Sequence, residues 1–139
     1  MNTGTYENIP TWTKVVLVLS GIYNIIWGGL VAAFPTEFLA LGGFTDLTPI
    51  TLTLMKGMAM MVAVYGLTYI VSAPNYLKYW PVVLAGFLAR VFGPIGFLVN
   101  VQEGVFTWDI GIMIIFNDLI WLPFYAVMMF GIYKHLRAK

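Results

Sequence analysis

Arg90 and Asp118 stand out because each sits midway along a run of almost wholly apolar residues. Asp118 follows Asn117 in Phe116-Asn117-Asp118-Leu119-Ile120-Trp121, which sets an amide beside a carboxylate. An ionisable group at membrane depth is costly, so it faces protein or water and takes a partner. The two residues could form an ion pair, with Asn117 taking up spare donors, or line a polar cavity that opens outward. Asn24 lies midway along another apolar run, and Lys56 lies nearer the start of a further one. The polar cluster to be located is therefore Arg90, Asp118, Asn117, Lys56 and Asn24. Lys56, Arg90 and Asp118 leave one positive charge in excess, which favours an anionic or carbonyl-bearing ligand. Tyr23, Tyr65 and Tyr69 could donate hydrogen bonds to such a ligand, a quinone for instance.

Most other chemistry lacks its residues. The chain has 0 cysteines and 1 histidine, His135. Thiol catalysis, thiolate metal sites and two-imidazole haem sites are excluded for a single chain. No metal and no cofactor are expected. No catalytic residue is assigned, and the weakest reading is a lipid-modifying membrane enzyme using Asp118 as acid or base. Met55, Met58, Met60 and Met61 point around most of a helical turn, which suits adaptable packing better than a copper site. A formal net charge of +1 gives no reason to expect nucleic acid.

The elements that hold these groups are set by composition. The 139 residues are 60% hydrophobic and 9% charged, where soluble domains average roughly 25% charged. The solvent for so much apolar surface is lipid. The expected fold is an all-α, integral membrane four-helix bundle, residues 1–139 as a single transmembrane domain. Its spans cover about 13–34, 49–71, 80–100 and 108–133. The first run is too long for the apolar core of a typical signal peptide and is read as a span. Phe38, Leu39 and Leu41, between Pro35 and Gly42, suggest a short interfacial helix. Lys14, Lys78, Lys134, Arg137 and Lys139 fall on one side, while Glu37, Asp46, Glu103 and Asp109 fall on the other. The excess of basic residues marks the cytoplasmic side, so both termini are expected inside.

At about 1.5 Å rise per residue, Asn24, Arg90 and Asp118 each lie roughly 12–17 Å into their spans, near mid-depth. Arg90 and Asp118 are thus expected to form an intramembrane salt bridge between antiparallel neighbours. Pro94 and Pro123 each remove a backbone bond, freeing the carbonyls of Arg90 and Leu119 beside the two charges. Bends are expected at both. Ser20, Asn24, Gly28 and Ala32 recur every four positions, as do Ala85, Ala89 and Gly93, while the second run offers Gly57, Ala59, Ala63 and Gly66. Such stripes let membrane helices approach closely.

With four short spans, Asn24 in the first and Asn117-Asp118-Leu119-Ile120-Trp121-Leu122-Pro123-Phe124 in the last, the chain resembles small bacterial four-helix membrane proteins of DoxX-like type. That resemblance implies a helical bundle and, for some relatives, association with membrane redox complexes. The function expected first is that of a non-enzymatic accessory or structural subunit of a larger membrane complex, redox complexes included, or of a homo-oligomer. The alternative is a binding or transport protein whose outward-facing polar cavity takes the ligand described above. Either would be a multi-pass protein of the inner (plasma) membrane, in contact with the lipid bilayer.

Overall fold

The backbone groups of a long apolar run must be satisfied within the run, and here each such run becomes a helix. The computed structural model describes residues 9–45 and 47–138; Asp46 and Lys139, counted above among the charges of the two sides, lie outside the described residues. Helix α1 spans Thr11–Ala33 and opens where the Thr13 hydroxyl donates to the Pro10 carbonyl at 2.7 Å. The short α2, Pro35–Leu41, starts on a proline, whose missing N–H costs nothing in a first turn. Helix α3, Pro49–Ser72, also starts on proline and is capped by Thr48, whose hydroxyl accepts from the Thr51 N–H at 3.2 Å. Helix α4 covers Trp80–Gln102. The last span, Trp108–Arg137, is helical but irregular and ends in α6, Leu122–Arg137, after a short α5, Gly111–Ile114. Among the described residues there is no strand. Four of the helices are long and apolar enough to cross a membrane, and they fall on the four runs seen in the sequence.

The small residues decide which helices touch. A Cβ added to Gly66 would lie 2.5 Å from the Gly21 carbonyl oxygen, and one on Gly28 would collide with the carbonyl of Ala59. Gly21 against Gly66 and Gly28 against Ala59 fix α1 and α3 as antiparallel and closely packed. Gly57, in the same stripe, meets nothing within 4 Å and takes no part. Helix α4 pairs with the last span in the same antiparallel sense, Gly86 against Tyr125 and Gly93 against Asp118.

The two helix pairs join at the end that carries the termini and the α3–α4 turn. Leu17, Val83, Met128 and Ile132 are buried there, together with Tyr69, Tyr76 and Tyr125. Lys14, Lys78, Lys134 and Arg137 lie at this end, and Glu37, Glu103 and Asp109 at the other. At that other end the loops are tied by rings. Phe44 meets Phe106 at 5.8 Å between centroids, and Phe97 meets Phe106 at 6.3 Å and Trp108 at 5.9 Å.

Much of the outer surface of α3 is apolar, with Leu54, Met58, Met60, Met61, Val64, Leu67 and Val71 all exposed. Large exposed apolar patches mark surfaces that contact protein or membrane. Replacing Gly66 by Leu drives a side chain into the Gly21 backbone and should destabilise the protein by about 1–3 kcal/mol or more, as overpacking does. Gly29→Leu adds the same side chain where nothing lies within 4 Å, and should stay within about 0.5 kcal/mol of the native protein. Thermal unfolding of both variants in micelles checks the contrast.

Candidate functional site

On α4 the residues that face inward are Val83, Gly86, Arg90 and Phe97, a helical stripe of one charge among apolar neighbours. Arg90 is only 3% exposed. Helical side chains lean toward the N-terminus of their own helix. Accordingly, the Arg90 Nη1 donates back to the Gly86 carbonyl at 2.9 Å and to the Tyr69 hydroxyl at 3.1 Å. The guanidinium carbon lies 4.0 Å from the centre of the Tyr125 ring and 5.2 Å from that of Tyr69. A desolvated cation over an aromatic face is worth about 2 kcal/mol or more.

The rings are themselves fixed. Tyr69 and Tyr125 meet edge to face at 5.7 Å, and the Tyr125 hydroxyl shares a hydrogen bond with Ser20 of α1 at 2.9 Å. Gly86 makes room for both, since a Cβ there would stand 2.7 Å from the Tyr125 ring and 2.7 Å from the Tyr69 oxygen. One cation thus ties residues of α1, α3, α4 and α6 together.

Asp118 is placed by an irregularity in the last span. After a 3-10 turn at Trp108–Ile110 and α5, the residues Ile115–Leu119 form a π-helical segment. The Ile120 N–H bonds to the Ile115 carbonyl at 3.0 Å, one residue further back than in an α-helix, and the Trp121 N–H bonds to Asp118 at 3.2 Å. The Trp121 indole N–H donates to the Phe116 carbonyl at 3.2 Å, and Pro123 opens the α-helix that follows. Single π-turns of this kind occur frequently at functional sites. This one directs the buried Asp118 carboxyl against Gly93 of α4, where a Cβ would come within 2.9 Å of the carboxyl carbon. Asn117 Nδ2 donates to Asp118 Oδ1 over a long 3.4 Å.

The expected Arg90–Asp118 salt bridge is not formed; no ion pair within 4 Å is found among the described residues. The reason is the lean of the arginine. Its guanidinium lies back beside Gly86, one turn before Arg90, whereas the carboxyl lies beside Gly93, almost a turn after it. Equal depth of the two Cα atoms does not bring the charges together. Pro94 lies inside α4, which runs as one helix from Trp80 to Gln102, and has no N–H to give the Arg90 carbonyl; the π-helical irregularity is in the last span.

Asn24, Arg90, Asn117 and Asp118 nevertheless line one cavity of about 100 Å³, together with Val62, Tyr65, Tyr69 and Ala89. Lys56 does not; it is exposed on α3, nearly two turns from Val62. Of the tyrosines considered from the sequence, Tyr65 and Tyr69 reach this cavity, while Tyr23 packs on Trp27 and Trp121. Tyr125, Gly86 and Ser20 were not singled out for chemistry, although Tyr125 follows Asp118 by 7 residues and so shares its helical face. Among the described residues no group of three acidic, histidine or cysteine side chains could hold a metal ion. No family model matches the chain, and no curated protein or solved structure matches it. The likeness to DoxX-like proteins rests on the residues quoted for it above.

Tyr69→Phe removes one acceptor from a buried cation and should cost about 1–3 kcal/mol. In double-mutant cycles read by unfolding in micelles, Arg90 should couple more strongly to Tyr69 than to Asp118. A larger Arg90–Asp118 coupling would restore the salt bridge.

Proposed function

We propose that this is a small multi-pass protein of the inner (plasma) membrane, with both termini cytoplasmic, that binds a small carbonyl-bearing or anionic group beside Arg90. The single observation that supports this most is the state of the arginine. Its partners are a carbonyl, a hydroxyl and two ring faces, all neutral, and its buried Nε has no hydrogen-bond partner among the described residues. A buried, unsatisfied donor costs about 1–3 kcal/mol, and more when charged. An arginine kept only to fasten helices would gain by meeting the carboxylate nearby. This one keeps its charge available in a polar cavity.

The cavity size limits what enters. A water molecule needs roughly 10–15 Å³ of such space, and sites for whole drug-sized ligands run to about 300–1,000 Å³. A volume of about 100 Å³ takes a head group or a few waters.

The reading as an accessory subunit of a larger membrane complex draws on a different surface. An apolar groove of about 580 Å³ runs between α4 and the start of the last span, lined by Pro94, Phe97, Leu98, Trp108, Ile112 and Ile115 among others. It is wide enough for side chains of a neighbouring helix, and the association of some DoxX-like proteins with redox complexes would fit it.

Native mass spectrometry of the purified protein separates the two. The binding reading expects a small-molecule adduct on the wild type that is lost in Arg90→Gln. A co-purifying polypeptide with no adduct would favour the subunit, and an adduct retained by Arg90→Gln would overturn the role of Arg90.

A further inference from the structure

The walls of the Arg90 cavity bear on how a ligand would reach it. Toward the termini, the residue 7 positions before Arg90 on the same face is Val83, 0% exposed, in the core with Leu17 and Met128. Toward the loops, 7 positions on, it is Phe97, 7% exposed and in ring contact with Phe106 and Trp108. Each apolar plug thus stands roughly 10 Å along the axis from Arg90. The side is different. Helices α3 and α4 meet where Tyr69 lies against Gly86. About one turn further toward the loops, the cavity is lined by Tyr65 on α3 and Ala89 on α4, and both are exposed, Tyr65 at 42%. The opening faces sideways, onto the apolar outer surface of the bundle, and not along the axis as an outward-facing cavity would require.

We propose that the ligand enters from the lipid, between α3 and α4, and is an amphiphile whose neutral carbonyl head reaches Arg90 while its tail stays in the bilayer. This rests on the reading of Arg90 as a binding group. The head is small because the cavity is about 100 Å³, and the tail stays outside because nothing in that volume holds it. Arg90 and the amide of Asn24 offer donors to a carbonyl oxygen. The Asp118 carboxyl lines the same cavity, and a second anion beside it would be repelled in a medium of low dielectric.

The test is photolabelling of the full chain in phosphatidylcholine nanodiscs with a long-chain 2-alkanone that carries a diazirine at mid-chain. Labelled peptides are mapped by mass spectrometry with and without an excess of the plain ketone. The expected result is saturable labelling of α3 and α4 around Tyr65 and Ala89. Ala89→Trp, which closes the opening, should reduce it at least tenfold, and Val64→Trp, on the exposed face of α3, should not. Saturable labelling that maps to Phe44, Phe106 and Trp108, or that survives Ala89→Trp, would overturn entry from the lipid and leave binding at Arg90 standing. Stronger competition by palmitate than by the ketone would overturn the neutral head. Labelling that an excess of ketone does not reduce would overturn both this inference and the binding reading.

Discussion

The placement of the Arg90 guanidinium is the constraint on which the rest of the bundle depends. A full charge at this burial is tolerated only where its donors find acceptors and its faces find polarisable groups. The Nη1 donor and the guanidinium faces are satisfied without an acid, while the buried Nε is left without a partner among the described residues. The Gly86 carbonyl lies one turn back on the same helix, the Tyr69 hydroxyl comes from α3, and the Tyr125 ring comes from α6. Those partners in turn require glycine at 86, because a Cβ would occupy the space of both tyrosines. They also reach α1, because the Tyr125 hydroxyl is held by Ser20. Two antiparallel helix pairs, each packed through small residues, become one bundle at this point.

The π-segment has a complementary effect on the last span. One extra residue in the turn at Ile115–Leu119 sets Asp118 against Gly93 while Tyr125, in the regular helix that follows, stays under the arginine. The carboxylate is therefore kept near the cation without closing on it. A polar cavity remains between them, with Asn24 and Asn117 on its walls. The irregular backbone is stabilised locally, by the Trp121 indole on the Phe116 carbonyl.

The helices were legible in the sequence because their length and apolar content leave little else for those runs to become. The membership of the polar cavity was partly legible, since counting depth along each run puts Asn24, Arg90, Asn117 and Asp118 at one level. Lys56, already shallower by its place near the start of α3, faces outward and stays out of the cavity. Depth alone misplaced one thing. The Arg90–Asp118 ion pair fails because a helical side chain several bonds long moves its charge about a turn away from its Cα, a displacement invisible to residue counting. The π-segment left no compositional trace beyond Pro123, and the exposure of Tyr65 and Ala89 beside the cavity depends on how α3 and α4 pack, which no local pattern records.

The most direct measurement is of distance, by rotational-echo double-resonance NMR on membrane-embedded protein. With Arg137 replaced by Lys, Arg90 is the only arginine, and its guanidinium nitrogens can be labelled alone. With tyrosine labelled at ¹³Cζ, strong dephasing is expected, because Nη1 lies 3.1 Å from the Tyr69 oxygen. With aspartate labelled at ¹³Cγ, weak dephasing is expected. Strong aspartate dephasing with little from tyrosine would show Arg90 paired with Asp118, and would contradict the account of a charge held by neutral partners.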